Sequence, residues 1–240
     1  MPKISAVNRL NEDCWSVVLS FIATWIRIPA AQTNKEIYKS LCGSFTGQVI
    51  DFSNCDQFRH ARLPGVIVGS RLPSNWLRPF KNVKAINLRR IKFADGGLVH
   101  LAKVKEINLS DCKRISDAGL EHLVNVKTIN LSHCRWLTDA GLAHLRNVEE
   151  INLRHCRNFT DAGLAHLENV KEINLWGTIV TDAGLMHLAN VEKIDLSYTE
   201  VTDAGLAHLA NVKEINLEYC DEVTNAGKKL LRARGVEIIE

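Results

Sequence analysis

The chain has 240 residues, 46% of them apolar and 24% charged, with a formal net charge of +3. This composition is ordinary for a folded globular protein, and the near balance of charge gives no strong sign of nucleic-acid or membrane binding. The longest apolar stretch, residues 15–28, is interrupted by polar residues and is too short to span a bilayer.

The N-terminus and the cysteines indicate the compartment. The first residues contain no apolar run that ends at a small-residue cleavage site, so we predict no secretory signal. The seven cysteines are odd in number, and four of them recur at one position of a repeat. This pattern favours buried free thiols over a disulfide framework. We therefore predict an intracellular protein, cytoplasmic or nuclear.

The N-terminal 46 residues predict two helices. The first covers residues 10–22, because the apolar side chains there recur near helical spacing. The second is predicted from about residue 31 to Leu41, ending near Gly43. The sequence pattern of the rest of the chain is absent from this segment.

This N-terminal segment resembles an F-box. Leu10 begins a stretch similar to the L-P-x-E/D opening of that motif, and residues 34–41 are similar to the lysine–aromatic–leucine stretch that closes it. Asn11 occupies the usual proline position, and residues 26–29 fall where the family has a polar turn and a second helix. The resemblance implies docking on the Skp-type adaptor of a cullin ubiquitin ligase. The adaptor-binding residues that it implies are Leu10, Asn11, Cys14, Val17, Val18, Phe21, Ile22, Tyr38 and Leu41.

A helical cap is the alternative reading of residues 1–46. An array of stacked repeats must cover the apolar end of its first unit, and these helices can do so without binding any adaptor. The outer surface of the first helix discriminates the two, because docking needs exposed apolar side chains and a cap buries them.

Residues 47–82 form a predicted irregular first repeat. Residues 49–55 look like a strand of the kind found in the later repeats, with about 36 residues between its register and the next unit. Pro64, Pro73 and Pro79 follow, without a clear helix pattern.

Seven similar segments then follow one another. Each opens with a valine, and the spacings are 21, 22, 22, 22, 21 and 21 residues. The valines are Val83, Val104, Val126, Val148, Val170, Val191 and Val212. Residues 83–240 resemble cysteine-containing leucine-rich repeats, with the pattern V-x-x-I-x-L-x-x-C/T. The resemblance implies an α/β solenoid with a curved parallel sheet inside and helices outside, whose repeats must stack because one unit cannot bury its own apolar face.

The repeat at residues 126–147 shows the expected core. Val126, Ile129 and Leu131 are predicted to point inward from a short strand. Leu142 and Leu145 are predicted to close the other side from a helical turn.

The ends of the helical turns carry recognisable signals. Asp139 is predicted to cap its turn, and Gly141 to let the turn approach its neighbours closely. The equivalent predicted caps are Asp117, Asp161, Asp182, Asp203 and Asn225. In the last unit Lys228 replaces a leucine, and residues 236–240 predict a final strand with charges on an exposed edge.

The concave face is the candidate binding surface. One polar residue of each strand is expected to face outward and to hydrogen-bond with its neighbours along the sheet, with direct ligand contact as the alternative role; these are Asn87, Asn108, Asn130, Asn152, Asn174, Asp195 and Asn216. The following positions vary far more and carry aromatic and arginine side chains, which commonly anchor interfaces. The predicted partner-binding residues are Arg90, His133, Arg135, Trp136, Arg154, His155, Trp176, Tyr198 and Tyr219. Among them Trp136, Trp176, Tyr198 and Tyr219 are expected to be exposed in the free protein. Drift at tolerant positions is the alternative explanation of the variation.

Three other columns are predicted to be structural. Glutamates at the strand starts follow lysines, which predicts a salt-bridged face and disfavours contact with a phosphate backbone. Six histidines recur on the helical turns: His100, His122, His144, His166, His187 and His208. Cys112, Cys134 and Cys156 form a line rather than a tetrahedral cluster, so we predict no metal and no cofactor.

The function predicted from these patterns is protein binding without catalysis. The sequence contains no G-x-S-x-G, no phosphate loop, no H-E-x-x-H and no dinucleotide fingerprint. Two readings stay open: an F-box-type substrate receptor of a cullin ubiquitin ligase, and a stand-alone recognition or scaffold protein with a simple cap. No membrane contact is predicted, and nucleic acid is not the expected partner.

Deletion of residues 1–46 tests whether this segment covers the repeats. We expect the truncated chain to aggregate or to lose cooperative unfolding, because the apolar end of the first repeat becomes exposed. Thermal melting and size-exclusion chromatography measure the effect. An unchanged melting temperature and an unchanged elution profile would contradict the prediction.

Overall fold

The structure is a computed structural model that describes residues 49–51, 77–78 and 80–240. The helices predicted within residues 1–46 lie outside the described residues, as does most of the irregular stretch before residue 80.

The described strands form one parallel sheet in chain order. Their bounds are β1 (Val49–Asp51), β2 (Ala85–Asn87), β3 (Glu106–Asn108), β4 (Thr128–Asn130), β5 (Glu150–Asn152), β6 (Glu172–Asn174), β7 (Lys193–Asp195), β8 (Glu214–Asn216) and β9 (Glu237–Ile239). Equivalent residues face each other throughout, as Ile107 faces Ile129. The predicted early strand and the predicted final strand are both confirmed, and β1 pairs with β2 in the predicted register, Val49 beside Ala85.

The connections between strands are short helices. They are α1 (Asp117–Leu120), α2 (Asp139–Leu142), α3 (Asp161–Leu164), α4 (Asp182–Leu185), α5 (Asp203–Leu206) and α6 (Asn225–Ala233). Segments of 3₁₀ helix occupy Asp95–Leu101 and Glu121–Leu123. Among the described residues, no helix is long and apolar enough to cross a bilayer.

A continuous apolar core lies between the sheet and the helices. Val126, Ile129 and Leu131 are at most 1% exposed, and so are Leu142 and Leu145, as predicted from the sequence. The central residue of each strand from β2 to β8 is buried in this core. Its two neighbours therefore point to the opposite, open face of the sheet, because side chains alternate along a strand.

The capping residues differ from the sequence prediction. Asp139 is the first residue of α2, and the residue before it, Thr138, is the N-cap. The Thr138 hydroxyl accepts a hydrogen bond from the backbone N–H of Ala140 at 3.3 Å. Threonine is a good N-cap for the same reason as aspartate, since its side-chain oxygen reaches an unpaired N–H of the first turn. In the last helix Thr224, not Asn225, is the cap.

The aspartates link successive repeats instead. The two carboxylate oxygens of Asp117 accept bonds from the backbone N–H of Thr138 at 2.9 Å and from its hydroxyl at 2.6 Å. The same link recurs in Asp95–Ser116, Asp139–Thr160, Asp161–Thr181, Asp182–Thr202 and Asp203–Thr224. Each aspartate thus positions the cap of the following helix.

The recurrence of glycine at one position of each helical turn follows from this link. A Cβ atom on Gly141 would overlap the carboxylate oxygen of Asp117, so the close approach predicted for this glycine is confirmed. Bonds from Thr224 also lower the pKa of Asp203. That link therefore stabilises the folded chain above the ordinary aspartate pKa and is lost as the pH falls through the lowered value.

Two more side chains join each repeat to the preceding one. Asn147 donates to the carbonyl of Val124 at 3.1 Å, and the same bond is made by Asn125, Asn169, Asn190 and Asn211. The thiol of Cys134 donates to the carbonyl of Leu109 at 3.2 Å, and Cys112, Cys156 and Cys220 make equivalent bonds. Where threonine replaces cysteine, the hydroxyl of Thr178 turns to its own repeat and bonds Leu175 at 2.7 Å.

The C-terminal unit has a longer helix that makes polar contacts with the final strand and with the preceding repeat. In α6 Leu231 is buried, whereas Lys228 forms an ion pair with Glu240 at 2.7 Å. Arg234 donates to the carbonyls of Leu209 and Ala210, so it ties this helix to the repeat before it. Lys228 therefore has a salt-bridge partner at the position where the other repeats bury a leucine.

The substitution Gly141→Ala tests the link between aspartate and glycine. Alanine in place of glycine within a helix ordinarily adds about 0.5–1 kcal/mol of stability. Here we expect a loss of stability, because the new methyl group displaces the Asp117 carboxylate from Thr138. Urea unfolding measures both changes.

The double variant Gly141→Ala with Asp117→Ala is the control. It should be no less stable than Asp117→Ala alone, since the overlap has been removed. Additive losses in the double variant would show that the carboxylate is not what excludes the methyl group.

Thiol labelling tests the buried cysteines. Burial raises the pKa of Cys112 and Cys156 to about 12 and also raises the pKa of Cys134 and Cys220. At pH 8 a thiol of pKa 12 is about one part in ten thousand thiolate, so these four should resist maleimide in the folded chain and react in guanidinium. Peptide mapping by mass spectrometry identifies the labelled cysteines. Rapid labelling of Cys134 in the folded protein would contradict the expectation.

Candidate partner-binding surface

A tight turn follows each strand and sets the positions of the candidate binding residues. The asparagine that ends β4, Asn130, accepts a bond from the backbone N–H of Ser132 at 3.0 Å. The next residue, His133, has a left-handed backbone, with φ of 63°. Equivalent residues with φ from 57° to 62° are Arg90, Asp111, His155, Gly177, Tyr198 and Tyr219.

The asparagine column therefore has a role that differs from the prediction. Each side chain bonds the backbone two residues ahead in its own repeat, in an Asx-type turn. Among the described residues, one such pair bonds along the sheet, where Asn174 donates to Asp195 at 2.7 Å. The prediction of mutual amide bonding was thus wrong for the other pairs, because the turn occupies the amide oxygen.

Five rings form a continuous line across successive repeats. We call His133, His155, Trp176, Tyr198 and Tyr219 the ring row. The centroids of consecutive rings are 4.6, 4.2, 4.7 and 4.3 Å apart. Aromatic pairs at such distances attract one another beyond their burial. The structure thus brings together five of the residues predicted from the sequence.

Trp176 enters the ring row from a different position than the other four. His133, His155, Tyr198 and Tyr219 occupy the left-handed position, which in this repeat belongs to Gly177. Because Gly177 has no side chain, the indole of the preceding residue fills the space between His155 and Tyr198. The Trp–Gly pair thus keeps the line of rings unbroken.

Two arginines flank the indole. The guanidinium carbon of Arg154 lies 4.0 Å from the Trp176 ring centroid, within cation–π distance. Arg157 donates from Nε to the carbonyl of Gly177 at 3.0 Å. Burial lowers the pKa of His155, and so do the nearby charges of His133, Arg154, Arg157 and Arg135. A cluster of positive charge therefore surrounds His155.

The ring row is less exposed than the sequence suggested. Tyr198 and Tyr219 are 46% and 63% exposed, whereas Trp176, His133 and His155 are half-buried. The predicted exposure was therefore wrong for Trp176, because the neighbouring rings and Arg154 cover part of the indole. Burial and a hydrogen bond with Tyr219 raise the pKa of Tyr198, so its hydroxyl stays protonated.

The remaining predicted residues lie beside the row or outside the described residues. Trp136 is 64% exposed in the loop after Cys134, and its ring contacts no other described ring. Arg135 is exposed in the same loop, and Arg90 forms an ion pair with Asp111 at 3.1 Å. The predicted adaptor-binding residues from Leu10 to Leu41 lie outside the described residues.

The start of the strands carries a different, largely neutralised surface. Ion pairs join neighbouring repeats between Lys84 and Glu106, Lys127 and Glu149, Lys193 and Glu214, and Lys213 and Glu192, at 2.5–3.4 Å. The predicted salt-bridged face is thereby confirmed. Glu150 lies opposite Glu172 in the sheet; burial and then the charge of Glu172 raise the pKa of Glu150. We call the lysines and glutamates of these four ion pairs, together with Glu150 and Glu172, the strand-start column.

The histidine and cysteine columns show no metal-binding geometry where the structure describes them. No group of three or more histidine, cysteine, aspartate or glutamate side chains in that part of the chain could hold a metal ion. The described cysteines, Cys112, Cys134, Cys156 and Cys220, are buried and free.

A family comparison matches the middle of the chain. The Leucine Rich repeat family model matches residues 100–124, 122–143, 144–167 and 187–210. Residues 100–210 contain leucine-rich repeats. The strand, Asx turn and short helix described above are thus the parts of one leucine-rich repeat, and the ring row follows the strand end of successive copies. No curated protein sequence matches the chain significantly.

Solved structures share the leucine-rich repeat fold. One chain of the yeast Rad7–Elc1 complex is 17% identical, with a TM-score of 0.55 over 69% of this chain and 50% of its own length. A chain of the Drosophila Toll–Spätzle complex is 16% identical, with a TM-score of 0.53 over 62% of this chain and 22% of its own length. The present chain therefore spans half of the first and about a fifth of the second. Identities this low show the fold, which is an open solenoid of parallel strands and helices.

Several parts of this surface could not be identified from residue types alone. Arg157 donates from Nε to the carbonyl of Gly177 in the next repeat, and residue types alone do not show that these two residues meet. The signal for Gly177 is its position, since it is the glycine at a place where the other repeats carry charged or ring side chains. The aspartate–threonine links could have been found from their fixed spacing of 20 to 21 residues.

Alanine substitutions in the ring row should affect stability unequally. Trp176→Ala removes a half-buried ring with two ring neighbours and Arg154, so we expect a loss of about 1–3 kcal/mol. Tyr219→Ala removes an exposed ring with one ring neighbour, so we expect at most about 1 kcal/mol. Urea unfolding of both variants compares the two losses. Equal losses would mean that the indole is not packed in the row.

Proposed function

We propose that this chain is a non-enzymatic protein-binding module whose partner lies along the ring row. The observation that carries the proposal is the unbroken line of five rings at the strand ends of successive repeats. Tyrosine, tryptophan and arginine supply most of the energetic anchors of protein interfaces. The row carries the first two, Arg154 lies over the Trp176 ring, and Arg157 bonds the carbonyl of the adjacent Gly177.

Backbone conformation adds support for a binding role. Four of the five ring-bearing residues have left-handed backbone angles, which cost free energy in residues other than glycine. Gly177 shows that this turn accepts a glycine, with its relaxed backbone, at the same place. Binding through the ring side chains would offset this cost in four of the six repeats whose left-handed residue is not glycine; the other two carry Arg90 and Asp111.

The solved neighbours are consistent with this proposal. Rad7 was crystallised with Elc1, and Toll was solved with Spätzle, so both structures are complexes of two different proteins. By analogy of fold, we propose a protein as the partner here too. The described thiols add no chemistry of their own, because burial raises the pKa of Cys112, Cys134 and Cys156 and keeps them protonated.

We further propose, from the F-box resemblance, that residues 10–41 dock an Skp-type adaptor. The ring row would then select the substrate of a cullin ubiquitin ligase inside the cell, in the cytoplasm or nucleus. The support is the sequence similarity at Leu10 and at residues 34–41. A stand-alone recognition or scaffold protein is the alternative, and it needs the ring row alone.

Pull-down with a purified Skp-type adaptor separates these two roles. Adaptor binding that is lost in a Val18→Asp and Phe21→Asp double variant, with the repeats still folded by circular dichroism, supports the ubiquitin-ligase role. No binding by the unmodified chain contradicts that role and leaves partner binding by the ring row unaffected.

Photo-crosslinking tests the surface itself. We expect a crosslinking amino acid at position 219 to capture a partner. The same group at Met186 should not, because Met186, which is 56% exposed, lies at the end of α4 on the helical side of the solenoid. The Tyr198→Ala and Tyr219→Ala double variant should weaken capture by about tenfold or more, as expected for central interface aromatics.

The double variant Lys105→Ala and Lys127→Ala is the control for that loss, because Lys127 belongs to the strand-start column and Lys105 precedes β3 at the equivalent position. It should weaken capture little. Equal capture by the aromatic double variant and the unmodified chain would place the interface elsewhere.

A further inference from the structure

Charge is distributed unevenly along the loops that follow the strands. Residues 88–94, 109–116, 131–138 and 153–160, which follow β2 to β5, contain eight arginines and lysines and a single carboxylate, Asp111. Residues 217–224, which follow β8, contain Glu218, Asp221 and Glu222 and no arginine or lysine. The edge of the solenoid along the ring row is therefore basic at one end and acidic at the other.

Among the residues that the structure describes, Arg90 has the single carboxylate partner found for the basic groups at this edge. Asp111 is already paired with Arg90, and no other arginine or lysine of the four loops forms an ion pair with a described residue. The buried Nε of Arg154 has no hydrogen-bond partner among the described groups. The lysines of the strand-start column differ, since most are paired with glutamates. The free positive charge of this surface is thus concentrated beside the ring row.

That charge converges on one place. Arg154 lies over the Trp176 ring, whose centroid is 4.2 Å from that of His155, and the charges of Arg154, Arg157 and Arg135 add to burial in lowering the pKa of His155. Arg154 is fixed over the Trp176 ring and Arg157 is fixed by the carbonyl of Gly177, so two of the three guanidinium groups are held in position. Guanidinium groups held in this way are suited to carboxylates, which they can bind through two parallel hydrogen bonds.

The packing of the rings limits what can bind there. Consecutive rings are 4.2–4.7 Å apart, whereas inserting a flat base between two rings needs a gap of about 7 Å, twice the 3.4 Å stacking distance. His155 and Trp176 meet edge to face and Tyr198 stacks on Tyr219, so no space for a further ring remains between them. This surface therefore favours an anionic group beside the rings, where Arg154 and Arg157 are held, over an aromatic group between the ring faces.

From these observations we propose, on the basis of the function proposed above, that the partner presents an acidic, extended polypeptide segment. Its carboxylates bind Arg135, Arg154 and Arg157 around His155. The segment runs across the strands along the ring row, and its neutral or basic continuation contacts Tyr198 and Tyr219 beside the acidic loop after β8.

A nucleic acid fits this surface less well. Regularly spaced phosphates that followed the row would meet Glu218, Asp221 and Glu222 at its acidic end. A wider duplex would also approach Glu150 and Glu172, which form no ion pair with any described residue. An acidic segment of limited length avoids both groups of carboxylates.

Fluorescence anisotropy with a labelled synthetic peptide tests the proposal on the full chain. The peptide alternates glutamate with threonine, so that an extended backbone presents the carboxylates on one side. We expect it to bind at least about tenfold more tightly than its glutamine analogue in low salt, where charge pairs are little screened. A thymidine oligonucleotide of similar length should bind more weakly than the peptide.

Variants with equal loss of charge identify the site. Arg154→Gln with Arg157→Gln should weaken peptide binding by about tenfold, whereas Lys127→Gln with Lys213→Gln should change it less than about twofold. The exposed Arg135→Gln variant gives a second measurement that does not disturb the packing on Trp176, and it should also weaken binding. Circular dichroism confirms the fold of each variant.

Failure of the acidic-segment proposal can be distinguished from failure of the proposed binding function. No peptide binding, equal binding by the arginine and lysine variants, or tighter binding of the oligonucleotide would each overturn the proposal. If position 219 crosslinks to a partner whose capture is unchanged by Arg154→Gln with Arg157→Gln, the acidic segment is wrong and the proposed binding function stands.

Discussion

The parallel pairing of each strand with its equivalent in the next repeat is the constraint on which the rest of the structure depends. Ile107 faces Ile129, and Asn108 faces Asn130. Parallel strands lie about 4.8 Å apart, so a side chain at any repeat position lies close to its copy in the neighbouring repeat. The core, the polar links and the ring row are three consequences of this one spacing. It is also why one substitution can affect two repeats.

The links between repeats use polar groups that each repeat would otherwise leave unpaired. Asp117 organises the cap of α2, Asn147 bonds a carbonyl of the preceding helical turn, and Cys134 bonds the carbonyl of Leu109. Buried polar groups without partners are costly, so these bonds fix the stacking as well as strengthen it. Gly141 belongs to the same system, because a larger side chain would displace the carboxylate.

The sequence predicted the periodic features and missed those that depend on contacts between repeats. The apolar positions Val126, Ile129 and Leu131 revealed strand and core, because burial repeats with the period of the chain. Asp139 was assigned as a cap within its own repeat, although its carboxylate reaches Thr160 of the next. Trp176 was expected to be exposed, since only the three-dimensional arrangement shows its ring in the space left by Gly177. The candidate binding residues were found by their variation, but their order as a line of touching rings was not.

The ring row is therefore a product of the repeat spacing, and the binding role that we propose for it depends on the rings being packed as one unit. Nuclear Overhauser effects between ring protons, in protein labelled on histidine, tryptophan and tyrosine, measure that packing most directly. The structure predicts cross-peaks between each consecutive pair, including His155 with Trp176 and Trp176 with Tyr198, whose centroids are 4.2 and 4.7 Å apart. Cross-peaks between neighbouring strands without any between these rings would contradict the account, because the strands would then be paired while the row was not assembled.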